Sequence, residues 1–280
     1  MYVYHYTNDE GFKGIIESQE LWATSIYHLN DWKEFDYGRD ALVNSVKDLL
    51  ENNEAADAGA KLLSYLYDTH PSLFVCSFSA AEDGDDLAQW RAYSHNGGYA
   101  IGFPIDKLIS HANILKFDWF LCEYGTKSTD QFVQKLANII EQIFKMAGGV
   151  KQFNSQFPFN DPTNDPLLAI LLKFVAKYKH DAFKAEKEHR FVRLLTSIEH
   201  PRFRMSGSSL IPYVAFSLKN KDLWKQAQIV MSPCLPNAAK LRFESVKEFL
   251  KSELSKHKLP TDCAISVRLS KAPYRNIMGG

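Results

Sequence analysis

The run Leu73-Phe74-Val75-Cys76-Ser77-Phe78 is short, apolar almost throughout, and bounded by Pro71-Ser72 on one side and Ser79-Ala80 on the other. That pattern marks a strand buried on both faces. A buried strand needs partners, and the other strand-like segments are scattered along the chain: Tyr2–Tyr6, Leu21–Thr24, Tyr99–Phe103, Arg190–Leu195, Ile211–Leu218, Gln228–Met231 and Ala264–Leu269. Residues 114–124 also read as extended. Between them lie amphipathic stretches of helical period. Asn8 or Asp9 caps a helix carrying Phe12, Ile15 and Ile16 and ending near Gln19. Further helices are expected over Trp32–Leu50, Glu54–Asp68, a short turn begun by Asp86, Thr129–Met146 closed by Gly148-Gly149, a segment running to about Tyr178, and Pro236–Lys256. The order is neither a steady βαβ alternation nor all-β, so the expected class is α+β: one sheet of distant strands with inserted helices. The Pro-rich stretch Lys151–Pro166 reads as a loop. It does not split the chain, because strands on both sides are needed for one sheet. A single domain over 1–280, with a helical insertion around 125–180, is the expectation.

With 45% hydrophobic and 13% aromatic residues among 280, there is material for a large core. There is no apolar run of about 18 residues, so no membrane span is expected. The first residues show neither a basic nor an apolar leader segment, and the four cysteines (Cys76, Cys122, Cys234, Cys263) form no C-x-x-C pair. A cytoplasmic protein with reduced thiols and no metal cluster is the reading. The net charge is zero but unevenly placed: residues 1–60 hold 12 acidic and 4 basic side chains, residues 173–204 hold 4 and 9, and residues 219–275 hold 5 and 12. A basic C-terminal third can hold a dinucleotide or the backbone of RNA or DNA; it can equally be a set of solvated helix faces.

Phosphate-loop, G-x-G-x-x-G, H-E-x-x-H and G-x-S-x-G sequences are all absent. Chemistry is instead expected from polar groups in aromatic, strand-edge settings. His5 and Thr7 are two apart on the first strand and share a face, a pair suited to ribose hydroxyls; a lone strand histidine is also a common structural group. Asp31 and Glu34 have the spacing of a capping box, a purely structural device. Trp90 and Tyr93 stand at i, i+3 on one helical face, a spacing more often found in a core; the alternative is that Arg91 beside them pins a phosphate while a ring stacks on a base or a pyridine. Glu186, Glu188 and Arg190 alternate along one strand face, either as a site or as the charged guard of an exposed edge.

Together these pieces form an ordered set: H-Y-T (His5–Thr7), L-N-D-x-x-E (Leu29–Glu34), W-x-x-Y (Trp90–Tyr93), E-x-R (Glu188–Arg190) and S-x-x-P-Y-R (Ser270–Arg275). The chain resembles a bacterial family of unknown function with these signatures, and more remotely the ADP-ribosyltransferase-like fold. The resemblance implies a mixed, mainly antiparallel central sheet of that type. It implies an NAD-dependent ADP-ribosyltransferase, with NAD as co-substrate and no metal. Such an enzyme would act in toxin or phage-defence biology, with a nucleic acid (RNA or DNA) or a protein as acceptor and an antitoxin or chaperone as a further partner. On the same resemblance Glu188 is the catalytic carboxylate with Glu186 second, and His5 is a catalytic-site residue. Tyr6, Thr7, Asn30, Asp31, Trp90, Arg91, Tyr93 and Arg190 hold the NAD. Trp90, Tyr93 and Tyr99 compete for the nicotinamide-stacking role. Two alternatives stand beside it: a non-catalytic module that binds NAD, ADP-ribose or nucleic acid, and a metal-dependent nuclease built on Asp31, Glu34, Glu186, Glu188 and His5.

Overall fold

The computed structural model describes residues 1–29, 33–50, 72–94, 97–125, 131–147, 166–233, 236–259 and 265–272. Asn30, Asp31, the expected helix Glu54–Asp68, the loop 151–165 and the P-Y-R end of the last signature lie outside them. The chain opens with β1 (Tyr2–Thr7), α1 (Asp9–Ser18), β2 (Glu20–Ser25), α2 (Glu34–Leu49), β3 (Leu73–Ser79) and α3 (Leu87–Tyr93). It continues through β4 (Tyr99–Pro104), α4 (Ile105–Ile114), β5 (Asp118–Leu121), β6 (Glu123–Tyr124), α5 (Gln131–Ala147), α6 (Pro166–Val175) and β7 (Tyr178–Lys179). Then follow β8 (Glu188–Leu194), β9 (Arg202–Ser206), β10 (Ser209–Ser217), α7 (Lys221–Trp224), β11 (Gln228–Met231), α8 (Pro236–Lys256) and β12 (Ser266–Leu269).

Ten of these strands form one sheet, antiparallel except for the parallel pair β11–β12. The architecture is therefore α+β with a mixed, mainly antiparallel sheet. Its centre is β3, as the apolar run required, and β3 is forked. One edge carries β8 along its whole length, from Leu73↔Leu194 to Ser79↔Glu188. The other edge carries two different strands: β2 at Phe74 and Val75, and β1 at Ser79. Between those contacts β1 and β2 diverge, and each leads its own leaf, β1-β4-β11-β12 and β2-β10-β9.

Alternation along β8 shows how the layers form. Phe191 points into a core built with α1, α4, α7 and α8; Val192 points into a second core with α2, α5 and α6. A third, smaller cluster lies beneath α3, where Tyr4 and Tyr6 of β1 meet Trp90, Ala100 and Val230. Local signals explain the helix ends near the site. Asn8 caps α1 by accepting from Gly11 N–H at 2.7 Å, and Gln19 closes it in the left-handed region (φ 57°). Asp86 caps α3, accepting from Ala88 and Gln89 N–H.

Four expectations are corrected. Helix α4 has no counterpart among the expected elements, although Leu108 and Ala112 recur at helical spacing. Residues 114–124 are not extended throughout: the strand begins at Asp118, after a turn with Lys116 at φ 62°. The charged segment is not an exposed edge, because β8 is paired on both sides, with β3 and β5. Nor does Glu186 lie on that strand. Asp181–Glu186 is a 3₁₀ turn, closed by Lys187 in the left-handed region (φ 44°).

Candidate functional site

The fork in β3 opens a cleft. Its first wall is β1, where His5 Nδ1 lies 3.0 Å from the Ser77 carbonyl, in the stretch of β3 that pairs with neither β1 nor β2. A carbonyl only accepts, so Nδ1 carries the proton and Nε2 is left as an acceptor. Burial pushes the His5 pKa down, which keeps the ring neutral; the Ser77 carbonyl opposes that only in part. The floor is β3, through Ser77, Phe78 and Ser79; Gln89 and Tyr93 of α3 and Glu186 and Glu188 complete the walls. The cleft is open to solvent along one side.

Glu188 is held by backbone and side chain alike. Its N–H donates to the Tyr124 hydroxyl at 2.8 Å, and its carbonyl accepts from Cys122 N–H at 2.9 Å. Its carboxylate takes Arg190 Nε at 2.9 Å on one oxygen, and Arg190 Nη2 at 3.0 Å and Lys179 Nζ at 2.6 Å on the other. Lys179 also donates to Glu186 at 2.7 Å, and Arg190 reaches Glu34 and the Ala176 carbonyl. Three carboxylates thus share two cations, leaving the cluster one negative charge in excess. Burial favours the neutral acid of Glu188, but Arg190 and Lys179 outweigh it and bring its pKa down to about 2. Glu186 moves the other way: burial raises it, Lys179 opposes, and the neighbouring Glu188 and Glu34 raise it further. Between Glu186 and Glu188, a proton is therefore taken up more readily at Glu186.

The cleft brings together His5, Tyr6, Tyr93, Glu186 and Glu188 from the expected set. Thr7, Trp90, Arg91 and Arg190 do not line it, and Asn30 and Asp31 lie outside the described residues. Trp90 is 1% exposed, edge-on to Tyr6 at 4.9 Å, with its indole N–H donated to Asp85 at 2.8 Å. Tyr99 is stacked on Phe12 at 3.9 Å in the first core. Of the three competing aromatics, Tyr93 is the one on the cleft wall. Thr7 turns its hydroxyl against the first turn of α1, so close that a Cβ at Gly11 would meet it at 2.0 Å. Arg91 is exposed and does not line the cleft. The Arg190 guanidinium is consumed by Glu188, Glu34 and Ala176, which removes it from the pyrophosphate role. Glu34 is no capping-box partner: α2 begins at Glu34, Lys33 occupies the cap position and makes no side-chain capping bond, and the carboxylate goes to Arg190.

Sequence reasoning missed Lys179, Tyr124, Gln89, Ser77 and Ser79. The two serines had a signal, since hydroxyls at alternate positions end an otherwise apolar strand. Lys179 had none, because its partners Glu186 and Glu188 reach it through a short turn rather than a regular element. Among the described residues, no three His, Cys, Asp or Glu side chains are grouped to hold a metal ion.

Residues 89–191 match the model of one protein family. It is a family of unknown function, DUF2971. The resemblance to a family of unknown function holds over that stretch, which contains two of its five signatures, W-x-x-Y and E-x-R. The DUF2971 match runs from Gln89 on α3 to Phe191 on β8, so it contains Gln89, Tyr93, Glu186 and Glu188, while the β1 wall with His5 lies outside it. No curated protein and no solved structure matches the chain.

Proposed function

We propose that the chain is an NAD-dependent ADP-ribosyltransferase whose forked sheet is of the ADP-ribosyltransferase type. It would transfer ADP-ribose to a nucleic acid or a protein as a toxin or defence effector. One observation carries this reading. A neutral imidazole with an acceptor nitrogen (His5, on β1) and a carboxylate that stays ionised (Glu188, on β8) face one cleft from the two sides of β3, with Tyr93 beside them.

Loss of nicotinamide from NAD leaves positive charge on the ribose. An anion already fixed beside that position stabilises the charge without reorganising, and the Arg190–Lys179 grip supplies the fixation. His5 Nε2 accepts from a ribose hydroxyl. Tyr93 offers a ring face to the nicotinamide. Glu186, with its pKa raised, is the group suited to take a proton from the acceptor nucleophile as it bonds to the sugar carbon. The pyrophosphate draws on neither Lys179 nor Arg190, since both are spent on carboxylates.

A second reading, a module that binds NAD, ADP-ribose or nucleic acid without turnover, is favoured by one feature: both oxygens of Glu188 are already hydrogen-bonded. Incubation with labelled NAD and a cell lysate separates the two. Transfer leaves label on a macromolecule, and loss of that label on treatment with RNase, DNase or protease names the acceptor. Tight NAD binding by calorimetry, with no label transferred and no nicotinamide released over hours, supports the binding module.

A further inference from the structure

Away from the cleft, the leaf β2-β10-β9 carries an unusual face. The register pairs Ala215 with Trp22, Tyr213 with Arg202 and with Thr24, and Ile211 with Arg204, so these side chains share one side of the sheet. Trp22 stands on an interior strand of this leaf yet is 47% exposed. Tyr213 lies against it at 5.0 Å with the rings tilted by 41°, and the Arg204 guanidinium sits over the indole at 5.3 Å. Arg204 Nε has no hydrogen-bond partner among the described residues. Arg202 is exposed and meets Glu20, the one carboxylate on these three strands, at 2.9 Å. The β9–β10 turn adds the hydroxyls of Ser206 and Ser209, both exposed.

We propose that this face binds single-stranded nucleic acid. Two large rings on an open sheet offer flat surfaces on which unpaired bases stack, whatever their identity. Two arginines on alternate residues of the edge strand β9 supply the charge that phosphates require, and a guanidinium over an indole can hold a phosphate while stacking. A duplex, with its bases already stacked on one another, has no such ring to offer. An acidic peptide would satisfy Arg202 and Arg204 but would leave Trp22 and Tyr213 without a matching surface. The inference names the surface that presents an acceptor to the transferase and rests on that reading only for the acceptor's class; binding itself requires no NAD.

The test is fluorescence anisotropy with labelled RNA and DNA strands of about twelve nucleotides, within the usual span of such sites, in the absence of NAD. The parent is expected to bind single strands more tightly than the corresponding duplex. Trp22→Ala is expected to weaken binding by roughly 5- to 100-fold, the scale of one stacked base, whereas Trp22→Phe stays within a few-fold. Arg204→Ala is expected to lower the slope of log affinity against log salt by about 0.7, the value for one phosphate contact on a single strand. Phe203→Ser, on the reverse face of the same hairpin, is expected to bind like the parent. The proposal is overturned if single strands do not bind at low salt, if Trp22→Ala binds as the parent does, or if Phe203→Ser loses binding equally. It is also overturned if an acidic polypeptide competes as well as RNA does. Because no NAD is present, failure here leaves transfer to a protein standing, and failure of transfer leaves this binding standing.

Discussion

Replacing Glu188 by Gln tests the electrostatics of the cleft in a way that needs no substrate. In the folded protein the Glu188 carboxyl sits at about 2, against an ordinary value of 4.5. Because the folded value is the lower one, ionisation of Glu188 favours the fold. That stabilisation is fully present above the unfolded value and disappears as pH falls through the folded one. The displacement corresponds to about 3 kcal/mol at pH 7, still about 3 at pH 4.5, and only about 1 at pH 3. The amide that replaces the carboxylate has no charge to lose, so Glu188→Gln should unfold at a lower urea midpoint by an amount that shrinks as the solution is acidified. Glu186, whose folded value Glu188 helps to raise, contributes in the opposite sense in the parent and less so in the variant, which offsets part of this trend. Urea unfolding of parent and variant at pH 7, 4.5 and 3 is the assay. A stability difference that stays constant from pH 7 to pH 3 would refute the claim that Arg190 and Lys179 hold an ionised carboxylate.

Two neighbours on α3 should respond in opposite ways. Trp90→Ala is expected to cost about 3–5 kcal/mol of stability as a buried aromatic truncated in place. Tyr93→Ala, 36% exposed, should cost less than about 1 kcal/mol while weakening NAD binding in calorimetry. Asp85 joins α3 to the end of the described chain, accepting from Trp90 Nε1 at 2.8 Å and from Ser270 Oγ and Lys271 N–H at 2.5 Å each. Asp85→Asn leaves one of those donors facing an amide N–H, and should cost about 1–3 kcal/mol; hydrogen exchange should rise together in residues 266–272 and in α3.

What the sequence revealed of this fold was mainly what periodicity can carry. The apolar run at 73–78 is the central strand, and α8 and β11 begin and end where their composition places them. Adjacency across the fork was not legible. That β3 shares one edge between β1 and β2 depends on where two distant strands diverge, and nothing local to either records it. The same limit governed the site. His5, Glu186 and Glu188 could be picked out as polar groups in apolar surroundings, but Arg190 had the same appearance and turned out to be wholly engaged in a buried ion cluster. Trp90 and Tyr93, indistinguishable by spacing, were separated by which of them Tyr6 covers. Glu34 fitted a capping box so well that its true partner, Arg190, 156 residues away, had no local trace.

On the proposed function, the ionised Glu188 on the cleft wall helps break the bond between nicotinamide and ribose. Nicotinamide release from NAD, followed in the presence of lysate for the parent and for Glu188→Gln under conditions where both are folded, tests it most directly. The account predicts release by the parent and a loss of at least about 100-fold in the variant, with NAD affinity within a few-fold. Equal release by the two proteins, or tight binding of NAD by the parent with none of it cleaved, would contradict it.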